Sequence, residues 1–287
     1  ARKHVTVALS GDGGDELFGG YNRYFWGRSI WHRIGPVPQG VRHGVGRMMT
    51  ALSPAAWDRI GKLLPWRLRQ PTLGDRIHKL ASVIDVDGPD ELYRRLVSQH
   101  REPGSLIVGA DETSIWADAE AAAFGRSDFT ERMMFHDLVG YLTDDILTKV
   151  DRAAMAVSLE TRVPLLDHHL VEFAWRLPLA MKIRDGQGKW LLRQVLYRYV
   201  PRELIERPKQ GFGIPLDTWL RGPLREWAEE LLDEHRLRRE GYLHPAPIRE
   251  KWDEHLSGRR NWQYWLWNVL MFQAWLDKIA DSKHNGE

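Results

Sequence analysis

The chain has 287 residues and a net charge of +2, from 41 Lys plus Arg against 39 Asp plus Glu. That balance does not suit a protein whose main work is coating phosphate backbones, so nucleic acid is not expected as a partner. The absence of cysteine excludes disulfides, thiolate nucleophiles, Cys-ligated zinc and iron–sulfur clusters. No apolar run approaches the roughly 20 residues that span a bilayer. Residues 5–9 are too short for the apolar core of a signal peptide, so no membrane partner is expected and the expected compartment is the cytoplasm. The 14 tryptophans suit large apolar filler in a helical core. The alternative, an Arg/Trp surface that stacks nucleobases, lacks basic runs to support it.

In chain order, Val5-Thr6-Val7-Ala8-Leu9 is short, β-rich and nearly all apolar. It reads as a strand covered on both faces of a parallel sheet. Such a strand needs neighbours, and no second strand of this type follows nearby. The expectation is therefore a carboxy-terminal part of a longer protein, with some of the sheet upstream. The apolar scar so exposed would favour self-association, a homo-oligomer included. Residues 26–73, punctuated by five prolines, read as several short helices. Two more are expected over 75–84 and 90–100, with Asp90 as N-cap. The longest periodic stretch is 129–155. Met134, Leu138, Leu142, Ile146 and Val150 recur every fourth residue as one apolar stripe. Residues 163–167 form an extended break. Helices are expected over 168–176, 189–200, 219–235 and 261–280, a Gly-rich loop over 208–215, and a frayed tail from 281. The fold class is mainly α with a short parallel β element.

The first chemical signal is Ser10-Gly11-Asp12-Gly13-Gly14-Asp15-Glu16-Leu17-Phe18-Gly19-Gly20-Tyr21, directly after the strand. Ligand sites in open α/β sheets lie at such strand ends. The glycines let backbone N–H groups approach an anion. Asp12, Asp15 and Glu16 would repel a bare phosphate, so the pattern makes sense with a hard cation such as Mg2+ between carboxylate and phosphate. The dinucleotide, Walker A and EF-hand patterns all fail on spacing. An ordinary Gly/Asp turn remains the alternative. The second signal is Asp144-Asp145 through Asp151-Arg152, followed by Glu160-Thr161-Arg162. Asp144 and Thr148 share a helical face. Asp151 with Arg152, and Glu160 with Arg162, could form buried ion pairs that fix the loop, and Asp151 could equally serve a site. The third is Arg207-Pro208-Lys209-Gln210-Gly211, where a lysine on a Gly-bounded loop could reach a phosphate or oxyanion. Lys189, opening a helix, is a weaker candidate for the same work, and for both a solvated lysine is the alternative. His168 and His169 point to different sides of a helix, and no zinc motif is present.

These three stretches, in this order, resemble the synthetase domain of glutamine-hydrolysing asparagine synthetases, and the resemblance extends over nearly the whole chain. It implies an adenine nucleotide alpha hydrolase-like fold, of which this chain would be a fragment with a large helical part. It also implies a reaction in which aspartate and MgATP give a β-aspartyl-adenylate and pyrophosphate, after which ammonia, drawn from glutamine in the complete enzyme, displaces AMP. ATP and Mg2+ are thus the implied cofactors. Asp15 matches a Mg2+ ligand, and Asp12 the acidic position associated with deprotonating the incoming amine, one methylene shorter than the Glu of some relatives. Lys209 matches the lysine that steadies the adenylating centre. Ser10, Gly11, Gly13, Gly14 and Lys189 would contact nucleotide or phosphate, with Asp151, Glu160 and Arg162 in support. The family's catalytic cysteine and its Ser-Gly-Gly-x-Asp-Ser pyrophosphate loop are absent from this sequence, so little or no synthetase activity is expected of the chain alone. An amide-forming relative with another substrate, such as a β-lactam or lasso-peptide cyclase, is the neighbouring alternative. A non-catalytic helical module that binds nucleotide or a protein partner is the alternative of another class.

Overall fold

A computed structural model describes residues 1–63, 73–100, 103–109, 128–206 and 213–284. The chain divides into two compact units, Ala1–Val97 with Trp116–Arg207, and Ser98–Ile115 with Pro208–Glu287.

The first unit opens on strand β1 (Val7–Leu9), which pairs in parallel with β2 (Glu160–Arg162) in the register Val7 with Glu160 and Leu9 with Arg162. Ser10 extends the ladder by donating its N–H to the Arg162 carbonyl at 2.8 Å. The expected strand is thus present and parallel, but shorter than 5–9 and not covered on both faces, since Leu9 is 74% exposed. Its partner strand was not anticipated. A three-residue strand has no period to read, because backbone hydrogen bonds to its neighbour define it.

Helices α1 (Gly14–Phe18), α2 (Asn22–Ile34), α3 (Gln39–Thr50), α4 (Pro54–Leu63), α5 (Leu73–Ile84) and α6 (Pro89–Val97) follow. Prolines separate several of them, as expected. Asp90 lies inside the first turn of α6 rather than capping it, and its carboxylate accepts from Arg132 Nε at 2.8 Å. The long periodic stretch is α7 (Phe129–His136), a π-helix over Asp137–Leu147, and α8 (Thr148–Met155). Asp128 caps its start by accepting the Thr130 N–H. Met134 and Leu142 of the predicted stripe are fully buried. The π turn changes the spacing, so Thr148 donates its hydroxyl to the Thr143 carbonyl instead of meeting Asp144.

Asp137, the first residue of the π turn, is buried. It accepts from Arg23 Nε at 2.8 Å, from the Tyr24 hydroxyl at 2.6 Å and from the Tyr93 hydroxyl. One carboxylate therefore ties α2, α6 and the π turn together. Helices α9 (His168–Arg176), α10 (Leu179–Lys182), α11 (Trp190–Leu196) and α12 (Arg202–Ile205) complete the unit. Helix α9 matches its expected bounds, whereas α11 ends earlier than the expected 200. The rings of His168 and His169 lie against each other, with centroids 3.8 Å apart, rather than on different sides.

In the second unit, α13 (Leu216–Arg221), α14 (Arg225–Leu231) and α15 (Glu234–Glu240) replace the single helix expected over 219–235. The Gly222-Pro223 pair breaks it, because proline cannot continue the helical ladder. Helix α16 (Pro245–Leu256) was not anticipated, and α17 (Gln263–His284) runs through part of the tail expected to fray. Trp252 and Trp265 are buried in the core that these helices share, as the filler reading holds, while Trp26 and Trp275 are exposed. No helix of the described residues is long and apolar enough to cross a membrane.

Candidate active site

The end of β1 runs straight into the Gly/Asp loop. The Ser10 hydroxyl donates to Asp12 Oδ2 at 2.5 Å. Gly13 takes a left-handed conformation (φ 81°) and α1 begins at Gly14. Buried Leu17 and Phe18 anchor α1 against α9, around Ala174. That anchoring fixes Asp15, which sits in the first turn of α1. Lys189 Nζ lies 2.9 Å from Asp15 Oδ2, across 174 positions of sequence, and both side chains are about one quarter to one third exposed.

Two close backbone approaches bring this lysine into place. The Lys189 N–H donates to the Phe18 carbonyl at 2.8 Å. A Cβ on Gly188 would stand 2.2 Å from the Gly19 carbonyl oxygen, and one on Gly20 would stand 2.1 Å from Asp15 Oδ1 and 2.4 Å from Lys189 Cε. Only glycine permits both contacts. Lys189 itself holds φ 57°, a left-handed conformation that is uncommon for a residue with a side chain and concentrates at functional sites. Gly188→Ala presses a methyl group onto backbone that cannot rotate away. It is expected to destabilise the unit by about 2 kcal/mol, read as a lower urea midpoint at unchanged slope; an unchanged midpoint contradicts the packing.

Glu16 does not join Asp15 at Lys189. It is buried, and the Tyr21 hydroxyl donates to its Oε1 at 2.8 Å. Burial pushes the carboxyl above its ordinary range, against the Tyr21 hydrogen bond, which lowers it. A raised folded-state pKa means that ionisation costs stability as the pH rises past the ordinary glutamate value, and that the cost is absent below it. Glu16→Gln keeps an acceptor for Tyr21 and should raise stability at pH 7 by about 1 kcal/mol. The gain should vanish at pH 4, as thermal melts at the two pH values would show. Behind Tyr21, the Arg23 guanidinium lies 4.1 Å from the Tyr21 ring centre and 4.5 Å from that of Tyr141, so the site's rear wall continues into the Asp137 network. Neither Glu16 nor Asp137 was singled out as structural from sequence. The five-residue spacing of Glu16 and Tyr21 around Gly19-Gly20 was the available signal.

The supporting residues expected from sequence fall elsewhere. Glu160 Oε1 accepts from Arg162 Nε at 2.7 Å, but the pair is exposed rather than buried, at 51% and 66%. Both residues belong to β2, which lies between β1 and α8 while these two side chains stay exposed. Asp151 and Arg152 are exposed and form no ion pair with each other. Gly11 is open to solvent and Gly14 is buried. Lys209 and its motif lie outside the described residues.

The arrangement can hold a metal only in company. No group of three or more His, Asp or Glu side chains could cage an ion among the described residues. Asp15 offers one carboxylate beside an ammonium. That donor set fits Mg2+, which is commonly held by one or two carboxylates plus phosphate oxygens and water.

A mostly helical unit with one parallel strand pair thus presents a carboxylate–lysine pair on a glycine-lined loop. The chain belongs to the asparagine synthase family, whose pattern matches residues 1–277. It is 31% identical over 275 residues to asparagine synthetase [glutamine-hydrolyzing] 1 of Bacillus subtilis, covering 96% of this chain and 41% of that protein. A putative asparagine synthetase [glutamine-hydrolyzing] of Mycobacterium tuberculosis is 34% identical over 280 residues, covering 96% and 40%. The human asparagine synthetase [glutamine-hydrolyzing] is 30% identical over 148 residues, 44% of this chain. The chain thus spans about two fifths of the length of the first two relatives. No solved structure gives a significant match.

Proposed function

We propose that this chain forms part of an ATP-dependent amide-forming ligase that makes asparagine from aspartate, within an adenine nucleotide alpha hydrolase-like fold. The observation that carries the reading is the Asp15–Lys189 pair at the end of β1, on the same loop that holds Asp12 against Ser10. The family match covers the same residues. In this reading Asp15 holds the magnesium that accompanies the nucleotide, which when bound would neutralise phosphate charge. Lys189, released from Asp15, turns its ammonium to a phosphate oxygen. The aspartate carboxylate attacks the α-phosphorus and pyrophosphate leaves. Ammonia then attacks the acyl carbon, AMP leaves, and Asp12, oriented by Ser10, accepts the proton. For Lys209 the proposal rests on its sequence motif, which resembles that of the lysine steadying the adenylating centre.

The test is twofold. The chain is titrated with MgATP by calorimetry. A polypeptide of the relatives' full length that carries this segment is assayed for pyrophosphate release with aspartate and with other carboxylic acids. Release that requires aspartate supports the reading. Release with another acid, and none with aspartate, replaces the substrate. No nucleotide binding and no release remove the reading altogether.

A further inference from the structure

Lys189 is the site's described cation, yet nothing in its own side chain explains why its backbone stays in a left-handed conformation. The explanation lies on the far side of the turn. Arg184 and Gln187 bond each other's backbone at 3.0 and 2.8 Å, closing a two-residue turn over Asp185 and Gly186, both at positive φ. That is the turn an Asp-Gly pair favours, and Gly188 and Lys189 come directly after it. One turn into α11, Arg193 donates its Nε to the Gly188 carbonyl at 3.1 Å. Its Nη1 lies 3.3 Å from Glu206 Oε1. The same carboxylate accepts from the Tyr197 hydroxyl and from Gln187 Nε2 at 3.2 and 3.3 Å.

Glu206 therefore gathers three donors, one before Lys189 and two after it. We infer that Glu206 is a positioning residue that acts through Arg193 to hold the Gly188-Lys189 turn, and with it the Lys189 ammonium, on Asp15. A guanidinium can do this because its planar fork serves two acceptors at once, whereas an ammonium on a flexible stem cannot hold both in one geometry. Glu206 does not touch the site and lies just outside the third sequence motif. The inference deepens the proposed function, resting on Lys189 as the phosphate-facing cation, but the geometry it concerns is testable without nucleotide.

The experiment is competitive acetylation of lysines in the native chain, followed by mass spectrometry of each lysine. Lys149, an exposed lysine paired with Asp145, reports reagent activity. Lys182, fully buried, reports global opening. In Glu206→Ala the Lys189 rate should rise about threefold, the scale expected for releasing a partly exposed ion pair, while Lys149 and Lys182 keep their wild-type rates. Arg193→Lys, which retains the charge but not the fork, should show the same rise. An unchanged Lys189 rate in either variant overturns the inference. A parallel rise of Lys182 overturns it too, since Glu206 would then merely stabilise the unit. Failure of MgATP to bind the wild-type chain would count against the proposed function and leave the acetylation result to stand by itself.

Discussion

Asp15→Asn should lower pyrophosphate release by about 100-fold to 1000-fold in a full-length polypeptide carrying this segment, the usual scale for removing one group that stabilises transition-state charge. The neutral amide keeps the shape and the glycine-lined contacts but supplies no negative charge to a metal. Lys189, its partner at 2.9 Å, would lose its counter-charge. The folded chain should hardly notice, because both side chains are partly exposed and such pairs contribute at most about 1 kcal/mol. Melting of the chain alone, compared with turnover of the full-length protein, separates the two effects. Turnover within a factor of a few of wild type would refute a role for Asp15 in the chemistry. The contrast with Glu16 sharpens the test. Its neighbouring carboxyl is buried behind the loop, so Glu16→Gln should change stability far more than nucleotide binding.

Asp137→Ala should produce the largest loss of stability, about 3–4 kcal/mol. The carboxylate is 2% exposed and receives Arg23, Tyr24 and Tyr93 from two helices. Truncation leaves a guanidinium and two hydroxyls without their acceptor in a place water does not reach, and the penalty for such orphaned groups exceeds the net worth of the bonds themselves. Burial, the larger of the causes that hold the Tyr24 and Tyr93 hydroxyls well above the ordinary tyrosine range, remains in the variant, so neither ionises to compensate. Asp137→Asn retains an acceptor and should cost about half as much. Denaturant unfolding of both variants checks the order, and an Ala variant as stable as wild type would mean that the network is not formed.

Of the candidate site, the part carried by contiguous residues was legible. Gly11 through Gly20, following an apolar β-rich run, marks a strand end that opens into a loop, and the parallel pairing of that strand agrees. Lys189 was legible only as a weaker candidate opening a helix, because its selection depends on Gly188 passing over Gly19 and Gly20. The ion pair foreseen between Glu160 and Arg162 exists but is exposed, since two side chains on the same face of a strand meet whether or not anything covers them. The break of 219–235 at Gly222-Pro223 is written in residue chemistry, since proline cannot continue the helical ladder. The π turn over Asp137–Leu147 leaves no simple trace, because a four-residue apolar stripe tolerates one inserted hydrogen-bond step.

By itself the sequence determined the order of the motifs, the predominance of helix and the identity of the acidic loop, because these depend on residues within a few positions of one another. Which charge faces which was decided only by tertiary structure. The Lys189–Asp15 pair and the Asp137 network each join segments whose separation in sequence says nothing about their approach. Their geometry follows from apolar packing, of Leu17, Phe18 and Ala174 for the pair and of Tyr24, Tyr93, Met133 and Met134 for the network, a non-directional force that places helices and leaves their polar groups to find partners where they land.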